Sequence, residues 1–145
     1  MIRPATQADL CRIAEILVFN NRIHYYPIFQ DAAYSFGEMQ VTHVMAQYTA
    51  DRLSHTWVYD DGVVKGFVQA ASGEVEKLYV EPAFQNQGIG AALLDFAVTR
   101  QDARFLWALE KNQKAVAFYR RHGFNGTGER KLEEGTAEYL ILLKR

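Results

Sequence analysis

The sequence has a single cysteine, Cys11, among its 145 residues. One thiol excludes an internal disulfide and a metal site built from several thiolates, and it fits a reducing compartment such as the cytosol. Apolar runs long enough for a signal core or a membrane span are also missing. The sequence therefore predicts a soluble, cytoplasmic chain with no membrane partner.

A large excess of charge of either sign is missing as well. Sixteen basic and seventeen acidic residues give a net charge of −1, which argues against nucleic acid as a partner. The four histidines show no metal-ligand spacing, so no metal is expected. Apolar residues make up 49% of the chain, enough to fill one core, and a single domain over residues 1–145 is expected.

Apolar periodicity and turn residues divide the chain into helices and strands. Helical spacing predicts four helices, over residues 6–18, 41–51, 88–100 and 112–122. Strand patterns predict a short strand at the start of the chain and further strands over residues 55–59, 63–71, 75–80, 105–109, 124–127 and 139–143. Residues 20–37 are aromatic and fit no single period, so a loop with short helical turns is expected there.

The order of these elements predicts an α+β fold. The strands up to residue 80 form an antiparallel meander, because Asp61-Gly62 and Ser72-Gly73 are turn signals between them. The strands and helices that follow alternate, which favours local parallel pairing, so a mixed sheet of about seven strands with about four helices is expected. Residues 139–143 are apolar on both faces, which indicates a central strand or a strand covered by a second subunit and leaves a homodimer open.

The most informative stretch joins the strand that ends at Val80 to the helix that follows. After Pro82 and a polar loop, Gly88 and Gly90 stand at the helix start, where each glycine costs about 1 kcal/mol of helix stability relative to alanine. Unpaired amides and the helix dipole at such a start suit a phosphate or diphosphate. The alternative is that the glycines only allow close packing of the helix on the sheet. No Gly-Lys-Ser or Gly-Lys-Thr follows, which excludes a Walker loop, and a third glycine of the Rossmann fingerprint is missing.

Two segments together resemble a known family. Gln85-Asn86-Gln87-Gly88-Ile89-Gly90 is similar to the acetyl-coenzyme A diphosphate loop of the GNAT superfamily of N-acetyltransferases, which has Gln or Arg, any two residues, Gly, any residue, and Gly or Ala. The preceding Leu78-Tyr79-Val80-Glu81-Pro82 resembles the family's strand and proline. The segment from Asn112 to Phe124 resembles its Asn, any two, Ala, any two, Phe-Tyr pattern with a closing Gly-Phe.

This resemblance implies acetyl-coenzyme A as cosubstrate, no metal, and a parallel central pair of strands that splays apart around the cofactor. It implies transfer of the acetyl group directly to a primary amine of a small molecule or a peptide. Gln85 stands where many relatives carry arginine, so one cation near the phosphates is lost. The implied cofactor-binding residues are Leu78, Tyr79, Val80, Gln85, Asn86, Gln87, Gly88, Ile89, Gly90, Ala91, Asn112 and Tyr119.

Two residues are implied as catalytic. Tyr119 would protonate the departing thiolate, since a phenol stays protonated at neutral pH; the alternative is a packed aromatic ring. Glu76 is the candidate base for the acceptor ammonium because strand alternation places it on the face of Leu78 and Val80; a surface ion pair is the alternative. Asn112 also suits the cap of its helix.

The acceptor site is implied in the irregular aromatic segment. His24, Tyr25 and Tyr26 are the candidate substrate contacts there, with ordinary core packing as the alternative. Two other functions stay open from the sequence. One is a sensor or interaction domain that binds acetyl-coenzyme A without catalysis, and the other is transfer of a succinyl or longer acyl group.

Overall fold

The computed structural model describes residues 1–145 and contains one seven-stranded sheet. Its strands are β1 Ile2–Pro4, β2 Thr56–Asp60, β3 Val64–Ala71, β4 Glu74–Val80, β5 Phe105–Leu109, β6 Asn125–Leu132 and β7 Tyr139–Lys144. The α-helices are α1 Leu10–Asn20, α2 Tyr26–Phe29, α3 Val41–Gln47, α4 Ala50–Ser54, α5 Ile89–Arg100 and α6 Gln113–Arg121. None of these helices has the length and apolar character needed to cross a membrane.

The sheet order is β1-β2-β3-β4-β5-β7-β6, with parallel pairing only between β4 and β5. The predicted α+β class with a mixed seven-stranded sheet is therefore confirmed. The structure has six α-helices where four were predicted. The two additional helices, α2 and α4, have four and five residues, which is too short for an apolar helical period to show in the sequence.

The parallel pair β4 and β5 separates soon after it begins. One residue pair, Glu74 with Phe105, is in register, and the two strands then diverge. Further along, β4 keeps its antiparallel ladder to β3, and β5 keeps its ladder to β7. The result is the predicted splayed pair, and the gap between the two strands opens towards their carboxyl ends.

Helices cover both faces of the sheet and define two cores. Helices α5 and α6 pack on one face around Leu93, Leu94 and Val116, and this side is called the α5 face below. Helices α1, α3 and α4 pack on the other, the α1 face, around buried residues such as Ile13 and Phe67. The residues of each core are buried, and the gap between β4 and β5 lies in the sheet that separates the two cores.

A bulge in β4 sets which of its side chains point to which face. Gln69 of β3 pairs with Lys77, but the next residue, Ala70, pairs with Val75, so Glu76 is an extra residue in β4. Val75 consequently packs on the α5 face together with Leu78 and Val80, although alternation alone would separate them.

The last two strands, β6 and β7, begin near their predicted positions, but β6 is longer than predicted. Strand β7 lies between β5 and β6, and this central position accounts for its two apolar faces. Strand β6 continues to Leu132 where the sequence predicted an end at residue 127. All of its residues are exposed, so no burial period exists for the sequence to reveal.

Candidate functional site

A cavity of about 350 Å³, called the gap cavity below, lies beside the carboxyl end of β4, where that strand has separated from β5. The end of α1, the loop before α5 and helix α6 bound it. Most of the predicted site residues line it. They are His24, Tyr25, Leu78, Tyr79, Val80, Gln85, Asn86, Gly88, Gly90, Ala91, Asn112 and Tyr119.

Six consecutive backbone amides at one end of this cavity have no partner in the chain. From Asn86 to Ala91 no amide donates a hydrogen bond, and the first one engaged is that of Ala92, which donates to the Gly88 carbonyl at 3.0 Å. Gln87 and Ile89 contribute two of these amides, although their side chains do not line the cavity. Together with the positive end of the α5 dipole, the amides form a site suited to an anion.

The two loop glycines have different reasons for being glycine. Gly88 has a φ of 83°, in the left-handed region, and a Cβ there would meet nothing within 4 Å. A Cβ at Gly90 would reach Phe118 at 3.5 Å and narrow the cavity. Close packing of α5 on the sheet depends instead on Gly66 of β3, where a Cβ would lie 2.9 Å from the Tyr79 carbonyl oxygen and 3.1 Å from Leu93. Tight helix packing therefore does not explain Gly88.

The side chain of Gln85 is turned into the protein. Its Nε2 donates to Asn20 Oδ1 and to the Val80 carbonyl, each at 3.1 Å. Asn20 Nδ2 donates to the same carbonyl at 2.9 Å and to the Ile16 carbonyl at 2.8 Å. A glutamine here ties the loop to α1 and β4. Asn20 continues the buried face of α1, one turn after Ile16 and two turns after Ile13, and this polar residue on an apolar face was a signal that the sequence analysis did not use.

These contacts also determine which backbone N–H and C=O groups of β4 face the gap between β4 and β5. The Glu81 amide donates to Lys65 on β3, so the Val80 carbonyl points away from β3, as its bonds to Asn20 and Gln85 show. In an antiparallel ladder the N–H and C=O of one residue point to the same side. The Val80 N–H therefore faces the gap, and alternation places the backbone groups of Leu78 on that side too.

Three tyrosines meet where the gap cavity opens. The Tyr25 and Tyr79 hydroxyl oxygens are 3.2 Å apart, and Tyr119 is the third. Burial, with an added contribution from Tyr25, raises the pKa of Tyr119 above its usual value. Burial also raises the pKa of Tyr25 and of Tyr79. All three phenols are therefore protonated at neutral pH, and burial and the neighbouring Tyr25 account for the raised pKa of Tyr119 without a hydrogen bond.

The remaining candidates of the gap cavity have distinct surroundings. Asn112 caps α6, its Oδ1 accepting from the Ala115 amide at 3.3 Å, and it also lines the cavity. His24 lines the gap cavity, with its Nε2 3.5 Å from Gln85 Nε2. Burial, followed by the nearby charge of Lys114, lowers the pKa of His24, so its imidazole is neutral at pH 7. Tyr26 lines neither cavity and instead packs edge-on against Phe36.

A second cavity of about 820 Å³, the outer cleft, opens on the far side of the tyrosines. The two spaces adjoin at the residues that they share, which are Tyr25, Leu78, Tyr79, Asn112, Ala115 and Tyr119. The diverging strands β4 and β5 form the base of the outer cleft, and its walls come from the segment between α2 and α3 and from the turn between β6 and β7. No three His, Cys, Asp or Glu side chains of the protein converge as metal ligands.

Glu76 lines the outer cleft, but its side chain does not point to the predicted face of β4. Its carboxylate accepts from Gln69 Nε2 at 3.1 Å and lies 3.2 Å from His55 Nε2. Gln69 is in turn bonded to Tyr48, which belongs to the core on the α1 face. The predicted shared face with Leu78 and Val80 is therefore wrong, because the bulge at Glu76 interrupts the alternation of β4.

The sequence analysis missed Lys77, which also lines the outer cleft. Burial, with a smaller effect of Arg52, lowers its pKa, and its ammonium has no ion-pair partner. The acidic residues of the β6–β7 turn were missed as well. The only signal for them was a run of charge around Gly135, and nothing in the sequence shows that this turn reaches the splayed strands.

Comparison with known proteins identifies the class of protein that this fold and site define. The family model of the acetyltransferase (GNAT) domain matches residues 52–125, about half of the chain, from α4 to the start of β6. The chain belongs to the GNAT acetyltransferase family. The match includes β4, the glycine loop and α6.

Among individual proteins, the chain is similar to two named peptidyl-lysine N-acetyltransferases. It is 29% identical to YjaB of Salmonella typhimurium over 85 residues, which are 59% of each chain. It is 34% identical to YiaC of Escherichia coli over 74 residues, which are 50% of this chain and 51% of YiaC. The chain thus spans about half to three fifths of the length of these relatives.

Solved structures show the same fold over the whole chain. The solution structure of apo YjaB from Escherichia coli superposes with a TM-score of 0.80 at 21% identity, covering 99% of this chain and 95% of that one. The structure of yncA from Salmonella typhimurium with its cofactor acetyl-CoA gives a TM-score of 0.66 at 22% identity, covering 100% of this chain and 92% of that one. At these identities the similarity establishes the fold.

Proposed function

We propose that this GNAT protein is an N-acetyltransferase that binds acetyl-coenzyme A in the gap cavity and acetylates a primary amine presented from the outer cleft. The observation that carries the proposal is the run of six unpaired amides from Asn86 to Ala91 at one end of the gap cavity, with Tyr119 where that cavity meets the outer cleft. This arrangement supports the proposal of an anion site and a proton donor at two ends of one continuous space.

The protein would hold the cosubstrate mainly through its backbone. The amides of residues 86–91 suit the diphosphate, since a helix start with free N–H groups and a partial positive charge stabilises anions without a lysine. The backbone N–H and C=O of Leu78, which face the gap, can pair with the amides of the pantetheine arm as a neighbouring strand would, whereas the Val80 carbonyl already accepts from Asn20 and Gln85. His24 and Asn112 border the same space, and the neutral imidazole of His24 is available as a hydrogen-bonding group.

Acetyl-coenzyme A supplies the acetyl thioester, and the protein's residues supply polarisation and proton transfer. The Val80 N–H can hydrogen-bond the thioester carbonyl oxygen as negative charge develops there. Tyr119 can donate its proton to the departing thiolate, since its raised pKa keeps it protonated. An alkylammonium with a pKa of about 10.4 costs roughly 4.6 kcal/mol to neutralise at pH 7, so a base is required. Glu76, directly or through water, is the candidate on the outer-cleft side.

The acceptor is proposed to be a lysine side chain of a peptide. The relatives YjaB and YiaC are named peptidyl-lysine N-acetyltransferases, and the outer cleft is large and open enough for a chain segment. Tyr25 borders both spaces and is the best placed of the predicted substrate contacts. His24 fits the cofactor side better, and Tyr26 has only its aromatic packing.

Calorimetry and a thiol-release assay test the proposal together. Titration of the purified protein with acetyl-coenzyme A should show saturable heat, and coenzyme A should be released only when a lysine peptide is added. Saturable binding without release for any amine or acyl donor would favour the alternative of a non-catalytic sensor or interaction domain. Absence of binding would overturn the assignment of the gap cavity.

A further inference from the structure

The outer cleft is acidic although the protein as a whole is nearly neutral. One lysine, Lys77, is its only basic residue, against six carboxylates. The net charge of the entire chain is −1. The carboxylates that line the cleft are Asp31, Glu38, Glu76, Glu133, Glu134 and Glu138. This concentration of negative charge is therefore a local property of the cleft.

Most of these carboxylates have no cation of the protein beside them. Glu76 is paired with His55, and Glu138 lies 2.6 Å from Lys111 Nζ. The other four form no ion pair. They stand in two groups, Asp31 and Glu38 on the wall between α2 and α3, and Glu133 with Glu134 on the turn between β6 and β7.

Carboxylates from both walls of the outer cleft affect the same tyrosine. Burial is the main cause of the raised pKa of Tyr34, and the charges of Glu133 and Glu38, one from each wall, add to it. Glu133 also contributes to the raised pKa of Tyr25 at the boundary with the gap cavity. The negative charges of both walls thus act together at Tyr34, and that of the β6–β7 turn also reaches Tyr25 at the boundary with the gap cavity.

A buried polar group provides an observation independent of the charges. Asn21 lines the outer cleft and is only 3% exposed, yet its Oδ1 has no hydrogen-bond partner. It lies in a π-helical turn, Asn21–Tyr25, directly after α1, and such turns are frequent at functional sites. A buried acceptor without a donor is unfavourable, so a ligand that brings an N–H or ammonium group would satisfy it.

We propose that the outer cleft selects peptide lysines that have further basic residues next to them. The acceptor side chain would extend towards Tyr119, while a neighbouring Lys or Arg of the same peptide lies between the two acidic walls, with Asn21 Oδ1 accepting from one of these groups. The volume of about 820 Å³ exceeds what a single alkylamine fills, which favours a peptide with several contacts. This inference rests on the proposed function and adds the class of acceptor.

Three peptides that differ only in the residues flanking one lysine provide the test. With purified protein and saturating acetyl-coenzyme A, kcat/KM is measured for Arg-Lys-Arg, Gln-Lys-Gln and Glu-Lys-Glu centres, each with a blocked N-terminus. We expect the Arg-flanked peptide to exceed the Glu-flanked one at least tenfold at low salt. The ratio should shrink at 0.5 M salt, since exposed charges are then screened.

A matched pair of variants locates the effect. Glu133→Gln removes one charge of the cleft but keeps the Oε1 that accepts from the Glu134 amide, so the turn is retained. It should lower the Arg-over-Glu ratio about threefold. Glu129→Gln removes the same charge from an exposed position of β6 outside the cleft and should leave the ratio as it is.

The outcomes separate this inference from the proposed function. Equal rates for all three peptides, or an unchanged ratio in Glu133→Gln, would overturn charge selection while leaving the acetyltransferase assignment in place. Turnover of spermidine or another free polyamine with none of any peptide would overturn the peptide as occupant. Failure of acetyl-coenzyme A to bind would instead contradict the proposed function itself.

Discussion

The two adjoining cavities are built by different means. The gap cavity uses backbone amides of one continuous loop, residues 86–91, and the open edge of β4. The outer cleft uses side chains from segments far apart in the chain, with six carboxylates among a largely hydrophobic lining. Under the proposed function, the backbone would provide the site for the common carrier, and the side chains of the outer cleft would discriminate among acceptors.

The largest effect is expected from adding a negative charge to the backbone-built cavity. In Gly90→Asp the new side chain would point towards Phe118 and Val80, at ordinary contact distances, and its carboxylate would face the bound diphosphate. Two like charges about 4 Å apart at an effective dielectric constant of 20 repel by on the order of 4 kcal/mol. Calorimetry should show a Kd for acetyl-coenzyme A raised about a thousandfold.

The matched control is Gly90→Asn, which has the same shape without the charge and should weaken binding much less. The melting temperature of Gly90→Asp should not fall, because an acidic residue in the first turn of a helix interacts favourably with the dipole. Equal affinity of the Asp and Asn variants would show that the diphosphate does not lie at this helix start.

A smaller effect is expected at the boundary between the cavities. Tyr119→Phe removes the proposed proton donor but keeps the ring that packs against Phe118 and Phe124. General acid catalysis typically contributes about 10²- to 10⁴-fold, so kcat should fall by at least 10² while the Kd for the cofactor changes little. Tyr139→Phe, which alters an exposed tyrosine outside both cavities, is the control.

The pH dependence of kcat tests the same proposed role of Tyr119 as a proton donor. Because the pKa of Tyr119 is raised, its acid form persists throughout the range below pH 10, and loss of its proton should cause no alkaline limb there. A thioester whose thiol leaves more readily should lose less rate in Tyr119→Phe. An unchanged kcat in this variant would remove Tyr119 from the chemistry.

The smallest effect is expected from the side-chain-built cleft. Glu76→Gln keeps an oxygen for the bond from Gln69 but removes the candidate base, and kcat should fall about tenfold at pH 7 because water can replace part of its function. His55→Gln removes the imidazole that lies 3.2 Å from Glu76 and keeps the carboxylate, so its kcat should stay near that of the wild type. If both variants lose activity equally, the contact between His55 and Glu76 positions β4, and Glu76 is not the base.

The same division explains how much could be predicted from the sequence. The glycine loop, the β4 strand and the Asn112 to Tyr119 helix were predictable because each site there depends on a short contiguous pattern with one periodicity. The splay of β4 and β5 was expected only through the family resemblance. The irregular aromatic segment could not be assigned, since its α2 helix and its π-helical turns, Asn21–Tyr25 and Ala33–Glu38, follow no apolar period of their own.

Side chains in the outer cleft were beyond sequence analysis for a physical reason. Glu133 and Glu38 are nearly a hundred positions apart, and only the sheet order brings the β6–β7 turn towards the segment before α3. Gln85 shows the opposite case, because the family pattern predicts that it binds the cofactor and it does line the gap cavity, yet its side-chain amide bonds Asn20 and the Val80 carbonyl. A motif locates a residue, and its neighbours in space decide what its side chain does.

The extra residue in β4 adds a side chain without changing which face its neighbours occupy. Deleting Glu76 would join Val75 directly to Lys77, and β4 could then pair with β3 without interruption. Val75, Leu78 and Val80 would keep the α5 face, and Tyr79 would keep the α1 face. The bulge therefore lets one strand carry an additional carboxylate into the outer cleft while the packing of both cores stays as it is.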